Sequence, residues 1–309
     1  MAEQLNQRDV YGKTLAELGK ANKNIVVLDA DLSGSTKTSV FAKEFPERFF
    51  NFGVAEQNMM ATAAGLASCG KTVFASTFAM FATGRAWEQV RNSLAYNNFD
   101  VKVVATHAGV TVGPDGASHQ ALEDIALMRA IPNMNILVPC DGPQVKDAIL
   151  AAASNKGPFY VRLARCKLPS IENKGEFKFG RAQVLRPGKD VAIIACGIMV
   201  NEALIAAQSL AKKGIQAGVI NMHTIRPLDT QAIIAAARST KGIVVCEEHS
   251  ITAGLGSAVT EVVCQDHPTR VLRVGVKNRF GQSGEPEELL KEYNLTSRDI
   301  EKAVCDIVA

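Results

Sequence analysis

Glu56 is the only acidic residue between positions 51 and 67, and the residues after it are apolar at roughly helical spacing. This pattern predicts that Glu56 lies in the first turn of a largely buried helix. Burial without a charged partner favours the protonated form of a carboxyl group, which can hydrogen-bond a ring nitrogen of a heterocyclic cofactor. The helix dipole also stabilises an acid in a first turn, so Glu56 by itself is equally consistent with a helix cap.

Phe78 and Phe81 follow this segment within Thr77–Phe81. On a helix or turn, a spacing of three residues brings both rings to one side, where they can stack on a flat heterocycle. Core packing is the more common reason for such a pair, so the pair carries little weight alone.

The stretch from His107 to Gln120 places two of the five histidines and Asp115 in a glycine-rich loop after an apolar run. Glycines let a backbone approach a ligand, and histidine and aspartate handle protons or bind hydroxyl groups. This composition favours a functional loop over a tight turn with incidental polar residues. His107, Asp115 and His119 would supply only three metal ligands, which disfavours a metal site.

Three dispersed residues suit a phosphate group, namely Arg8, Ser35 and Arg165. Arginine can bind a phosphate through two parallel hydrogen bonds, which lysine cannot do. Each of these residues taken alone is more typical of an ordinary surface position.

Apolar strands and helical segments alternate along the chain, which predicts an α/β protein with mostly parallel sheets flanked by helices. We expect one domain over 1–170, a linker over 171–188 and a second domain over 189–309. In detail, the pattern predicts a helix over 120–130, an irregular strand near 177–184 and a C-terminal helix from residue 286. The loops after the strands should carry the functional residues, because ligands of open α/β sheets bind there.

Composition excludes several classes of protein. The chain has 309 residues, 47% hydrophobic and 21% charged residues, and a net charge of +3. The small net charge and the lack of a basic run with interleaved aromatics argue against nucleic acid as a partner. Seven scattered cysteines without a Cys-x-x-Cys pair, and the absence of a signal peptide or a long apolar run, predict a cytoplasmic protein with no membrane partner.

In the same order along the chain, these stretches resemble the transketolase family of thiamine diphosphate enzymes. Gly53-Val-Ala-Glu-Gln-Asn-Met is similar to the Gly-x-x-Glu-His segment of the family, with Gln57 in place of the usual histidine. The most specific match is His107…Gly-x-Asp-Gly-x-Ser-His119. The other matching segments are Thr77–Phe81, Ile131–Met134 and Arg165–Pro169.

The resemblance implies a pyrimidine-binding domain followed by a transketolase C-terminal domain. It also implies that Glu56 hydrogen-bonds the aminopyrimidine ring of thiamine diphosphate and promotes its imino form. Phe81, with Phe78 beside it, would stack on that ring. Asp31 would lie near the cofactor at a subunit interface.

On the substrate side, the resemblance implies that four residues hold the phosphate of a sugar phosphate. Asp115 would bind a substrate hydroxyl group, and His119 would line the reaction centre as a second catalytic residue. The four phosphate-binding residues would be Arg8, Ser35, His107 and Arg165.

The family also needs a diphosphate-binding domain with a Gly-Asp-Gly motif, and this sequence contains no Gly-Asp-Gly. The resemblance therefore implies one subunit of a split transketolase. Its partner would be an N-terminal subunit that holds Mg²⁺ and the diphosphate, with two copies of each chain in the complex. The reaction would move a two-carbon ketol unit from a ketose phosphate to an aldose phosphate.

Three alternatives are also compatible with this sequence. One is the corresponding half of a deoxyxylulose phosphate synthase, which shares the Asp-Gly-x-Thr/Ser-His loop. The second is a 2-oxoacid dehydrogenase beta subunit, which has this size and domain order but should lack the Asp115–His119 loop. The third is a non-enzymatic regulatory binding module.

Overall fold

The computed structural model of the protein describes residues 3–172 and 174–309. Its strands are β1 (Gln4–Asn6), β2 (Ile25–Asp29), β3 (Phe49–Asn51), β4 (Thr72–Phe78), β5 (Val101–Thr106), β6 (Asn135–Leu137), β7 (Phe159–Arg162), β8 (Lys167–Pro169), β9 (Gln183–Arg186), β10 (Val191–Ala195), β11 (Ala217–Asn221), β12 (Thr224–Arg226), β13 (Ile243–Ser250) and β14 (Val271–Val276). Its α-helices are α1 (Gln7–Ala21), α2 (Ser33–Thr36), α3 (Ser39–Glu44), α4 (Glu56–Ser68), α5 (Trp87–Gln89), α6 (Asp124–Arg129), α7 (Gly142–Ser154), α8 (Met199–Lys212), α9 (Thr230–Ser239), α10 (Leu255–Asp266), α11 (Pro286–Glu292) and α12 (Ser297–Val308). Short 3-10 and π-helical turns cover Pro46–Arg48, Phe81–Arg85, Val90–Ala95 and Val110–Asp115.

A seven-stranded sheet in the order β12-β6-β7-β5-β4-β2-β3 forms the first half of the molecule. Its strands are parallel except for β12, which runs antiparallel to β6. The central strands β2, β4 and β5 are buried along their whole length, as expected for a parallel sheet that helices cover on both faces. The predicted α/β class with mostly parallel sheets is therefore confirmed.

A five-stranded sheet in the order β14-β13-β10-β11-β9 forms the second half. The four strands β14, β13, β10 and β11 are parallel, and β9 closes the edge in the antiparallel direction. The two halves are interlocked, because β12 comes from the second half of the chain and pairs with β6 at the edge of the first sheet.

Three local expectations differ from the structure. The helix expected from residue 120 begins at Asp124, because the preceding residues remain in the loop that follows β5. Residues 177–182 are not a strand, since Phe177 stacks on His223 with the ring centroids 4.3 Å apart, and β9 begins only at Gln183. The C-terminal helix is two helices, because a left-handed Asn294 and a capping box at Thr296 start α12 anew.

The carboxyl ends of β2, β4 and β5 lie side by side in the first sheet. The loops that follow them carry most of the residues singled out by the sequence. Among the helices of residues 3–172 and 174–309, none is long and apolar enough to cross a membrane.

Candidate active site

Glu56 is the first residue of α4 and is only 1% exposed. The helix buries Met59, Met60 and Ala63 on the same side, which confirms the expected position in the first turn of a buried helix. Its carboxyl group has a partner that the sequence did not indicate. Arg85 Nη1 donates to both carboxylate oxygens at 3.0 Å.

Arg85 is half-exposed, and its guanidinium also lies over the ring of Phe81, 4.6 Å from the ring centroid. The ring of Phe81 stacks in turn on that of Phe78 at 5.9 Å, with the two planes inclined by 15°. Phe81 and Arg85 are at the two ends of the π-helical turn that follows β4, and such turns are frequent at functional sites. The Arg85 guanidinium, which is planar and carries N–H donors, therefore occupies the space between the Glu56 carboxylate and the Phe81 ring.

His107 directly follows β5 and has a positive φ of 58°, a conformation that is uncommon for residues other than glycine. Its ring stacks on Phe78 with the centroids 3.7 Å apart. His107 Nε2 lies 3.4 Å from Arg8 Nη1, and Thr106 Oγ1 lies 2.8 Å from Nδ1. Burial, reinforced by the charges of Arg8, Arg165 and His119, lowers the pKa of His107 to about 3.

The low pKa of His107 predicts a pH dependence of folding. Because the unfolded histidine has a pKa near 6.5, this residue stabilises the fold above that pH, and the contribution is lost as pH falls towards 3. We expect the difference in unfolding free energy between the wild type and His107→Asn to shrink by about 2 kcal/mol from pH 7 to pH 5. Denaturant unfolding of the isolated chain at a series of pH values measures this difference. Parallel pH profiles for the two proteins would contradict the prediction.

Arg8 and Arg165 give the site an electropositive end. Arg8 Nε donates to Asn6 Oδ1 at 3.2 Å, and Arg8 Nη1 donates to the main-chain oxygen of Ser35 at 3.1 Å. Burial lowers the pKa of Arg8, and the charge of Arg165 acts in the same direction while Asp9 opposes it. An anion bound here would relieve this crowding of like charges.

Asp115 and His119 extend the cluster from the loop after β5. Arg165 Nη1 lies 3.4 Å from Asp115 Oδ1 and also donates to the main-chain oxygen of Val112. The ring of His119 lies edge-on to Phe81, with the centroids 5.4 Å apart. The structure therefore brings together residues that are far apart in the sequence. They are Arg8, Ser35, Phe78, Phe81, His107, Asp115, His119 and Arg165.

Asp31 is hydrogen-bonded to the segment that leads into α4. It has a positive φ of 65°, and Asn51 Nδ2 donates to Asp31 Oδ1 at 3.2 Å. Asn51 Oδ1 accepts from the main-chain nitrogen atoms of Asp31 and Gly53, both at 3.0 Å. Asp31 is thus placed beside the turn that leads to Glu56, on an exposed edge.

Sequence reasoning missed two residues that hold this site. Arg85 follows Phe81 by four residues, which is the spacing of one helical turn. A charged residue in this segment of small residues could have indicated that Arg85 lies beside Phe81. Asn6 caps α1 through the Arg8 main-chain nitrogen and also orients the Arg8 side chain. An asparagine before a helix is a recognised cap, but its second role requires the folded geometry.

The arrangement has two ends with different chemistry. One end offers a buried carboxylate and an aromatic face to a flat nitrogen heterocycle. The other offers arginines and a neutral histidine to an anion, with Asp115 beside Arg165 and His119 beside the Phe81 ring. Among residues 3–172 and 174–309, no group of three or more histidine, cysteine or acidic side chains is placed to hold a metal ion.

Comparisons with known proteins show the family to which the chain belongs. The family model described as the transketolase pyrimidine binding domain matches residues 3–170, and that of the transketolase C-terminal domain matches residues 180–300. A transketolase C-terminal section of Methanocaldococcus jannaschii is 52% identical over 303 residues, which are 97% of this chain and 95% of that protein. Human transketolase is 38% identical over the whole chain, which spans 50% of the human protein.

A solved structure has nearly the same extent and fold. It is described as a split gene transketolase in an inactive β4 tetramer, and it is 51% identical to this chain. The match covers 98% of both chains with a TM-score of 0.91.

Proposed function

Because the chain belongs to the transketolase family, we propose that it is one subunit of a two-chain enzyme that transfers a two-carbon ketol unit from a ketose phosphate to an aldose phosphate. The observation that carries this proposal is the single cluster that joins the carboxylate and aromatic end to the arginine and histidine end. A ketol transferase needs both a heterocyclic cofactor and a sugar phosphate at one place.

Thiamine diphosphate is the cofactor that the family implies, and its aminopyrimidine is a flat nitrogen heterocycle. When bound, it supplies the electron sink for the exchange of carbon–carbon bonds. Glu56 would hydrogen-bond a ring nitrogen and hold a proton there, while Phe81 and Phe78 would offer an aromatic face. The planar Arg85 guanidinium donates its N–H groups to that same carboxylate and lies over the Phe81 ring, so its position supports the fit of a flat heterocycle there. Arg85 would turn outward to solvent when the cofactor binds.

The substrate phosphate would bind at the electropositive end, where Arg8 and Arg165 offer donors and His107 and Ser35 complete the site. Asp115 would accept a hydrogen bond from a substrate hydroxyl group. His119 lies edge-on to the Phe81 ring and would move a proton between substrate oxygens at the reaction centre. The charges of Arg8 and Arg165 also raise the local concentration of an anionic substrate.

We propose that an N-terminal subunit supplies the diphosphate and Mg²⁺ sites, with two copies of each chain in a cytoplasmic complex. The extents of the relatives support this, since the chain spans 95% of the archaeal C-terminal section but half of human transketolase. The solved relative is described as inactive when it is a β4 tetramer, which also supports a need for a second chain. Asp31 would lie near the cofactor, at the junction of the two subunits.

Reconstitution tests this function. The chain is used to recover its partner from native lysate, and the complex is assayed for sedoheptulose 7-phosphate formation. The substrates are xylulose 5-phosphate and ribose 5-phosphate, with thiamine diphosphate and Mg²⁺ present. We expect activity from the two-chain complex and none from the isolated chain. A complex that consumes pyruvate without ketol transfer would instead support a pyruvate-using relative, and activity of the isolated chain would contradict the split arrangement.

A further inference from the structure

The loop from Gly109 to Gln120, which carries Asp115 and His119, also packs against the C-terminal half of the chain. Gln120 Nε2 donates to the main-chain oxygens of Gln282 at 2.9 Å and of Val110 at 3.0 Å. A Cβ atom at position 116 would lie 2.6 Å from Ser283 Oγ, so only glycine fits there.

Glu248 makes the closest contact between the C-terminal half and this loop. It lies in β13 of the C-terminal half and is 2% exposed. Its Oε1 accepts a hydrogen bond from the Thr111 main-chain nitrogen at 2.7 Å. A Cβ atom at position 109 would lie 2.1 Å from its carboxyl carbon, so Glu248 and Gly109 occupy complementary space.

The main chain of Glu248 is itself anchored to the first half of the molecule. Arg162 Nη2 donates to the Glu248 main-chain oxygen at 2.9 Å, and Arg162 Nε donates to Asp124 Oδ2 at 2.7 Å. Two residues on, the Ser250 main-chain nitrogen donates to the Leu122 oxygen at 2.8 Å. These hydrogen bonds fix the main chain at Glu248, so its carboxyl group holds a defined position beside the loop from Gly109 to Gln120.

Burying the Glu248 carboxyl group costs free energy, because the group loses its hydration. Glu248 Oε2 has no hydrogen-bond partner among the residues the structure describes. Burial raises the pKa of Glu248 to about 7, with Asp124 acting in the same direction and Arg162 and Thr111 opposing it. An apolar side chain would pack here without this cost, so packing alone does not account for a carboxyl group at this position.

We propose that Glu248 is a positioning residue through which the C-terminal half holds the loop that carries Asp115 and His119 in its substrate-binding shape. The assignment of the loop to a sugar phosphate rests on the proposed function. Glu248 does not touch the substrate in this scheme and acts through Thr111. It gives the C-terminal half a role in the reaction beyond assembly.

Hydrogen–deuterium exchange of the isolated, folded chain tests the positioning itself. Glu248→Met keeps the approximate length of the side chain and removes the acceptor, whereas Glu248→Gln retains an acceptor oxygen. We expect exchange in peptides that contain Thr111 to be about tenfold faster in the Met variant and near the wild-type rate in the Gln variant, since one hydrogen bond is lost in only one of them.

Glu247→Met is the matched control, because Glu247 is equally buried in the same strand but accepts from the main-chain nitrogens of Leu255 and Gly256. It should speed exchange near residue 255 and not near Thr111. If the Met variant at position 248 fails to fold, Glu248→Asp provides the same test, because its carboxylate is one methylene too short. Wild-type exchange near Thr111 in the variant without the acceptor, or equal acceleration in the Gln variant, would overturn the proposal.

Kinetics of the reconstituted complex give the second readout. We expect Glu248→Met to raise the KM for the sugar phosphates about tenfold with a smaller change in kcat, and Glu248→Gln to restore the KM. A KM that stays at the wild-type value would contradict a role in holding the loop in its substrate-binding shape. The exchange experiment needs neither the partner nor ketol transfer, so a failure of the proposed function would leave its outcome interpretable.

Discussion

Replacing Glu56 by Gln is expected to lower ketol transfer by the reconstituted complex by a factor of about 10² to 10⁴, the range for loss of a positioned acid–base group. The amide keeps the size of the side chain and can still accept from Arg85, but it cannot hold and release a proton at a ring nitrogen of the cofactor. Steady-state assay of the complex measures the loss. The thermal unfolding temperature of the variant should remain close to that of the wild type, because Arg85 is half-exposed and stays hydrated.

Glu261→Gln is the matched control for this experiment. Glu261 is also a carboxylate paired with an arginine, since Arg129 Nη2 donates to its Oε2 at 2.8 Å, but it lies on the outer face of α10. This variant should retain wild-type turnover. Size-exclusion chromatography of both complexes separates a catalytic defect from a failure of assembly. Activity of Glu56→Gln within tenfold of the wild type would rule out the proposed role of the carboxyl group.

Replacing Arg162 by Met is expected to have the largest effect on stability, lowering the free energy of unfolding by about 3–5 kcal/mol. Asp124 is 1% exposed, and its Oδ2 accepts from Arg162 Nε at 2.7 Å and from Tyr160 Oη at 2.6 Å. Burial raises the pKa of Asp124, but Arg162, together with the other groups around the carboxylate, holds that pKa below its usual value. Removing the guanidinium leaves a carboxylate buried without its counter-charge, and denaturant unfolding of the isolated chain measures the cost.

The double variant Asp124→Asn/Arg162→Met separates the charge from the packing. Since neither charge remains, we expect it to recover about half of the lost stability, with the unpaired Glu248 main-chain oxygen accounting for much of the rest. Arg279→Met, which breaks an exposed pair with Glu292, should leave the unfolding midpoint unchanged. A single variant at position 162 that is as stable as the wild type would show that the buried pair is not needed.

Local patterns in the sequence were enough to predict many of the strands and helices. The apolar runs located strands such as β10 and β5, because a strand of a covered parallel sheet must be apolar over its whole length. Helical periodicity placed Glu56 at the start of a buried helix. The errors fell before Asp124, in 177–182 and around Asn294, where the loop after β5, an aromatic contact and a left-handed residue decide the conformation.

The sequence by itself determined the alternating α/β order, the start of α4 and the set of residue types available for chemistry, because these depend on neighbours within a few turns of the chain. Only the tertiary structure decided which groups meet. Arg85 reaches Glu56 across 29 positions, Arg8 reaches His107 across 99, and Glu248 reaches Thr111 across 137. Such contacts depend on the order of strands in the two sheets and on the crossing of β12, and no local pattern encodes either.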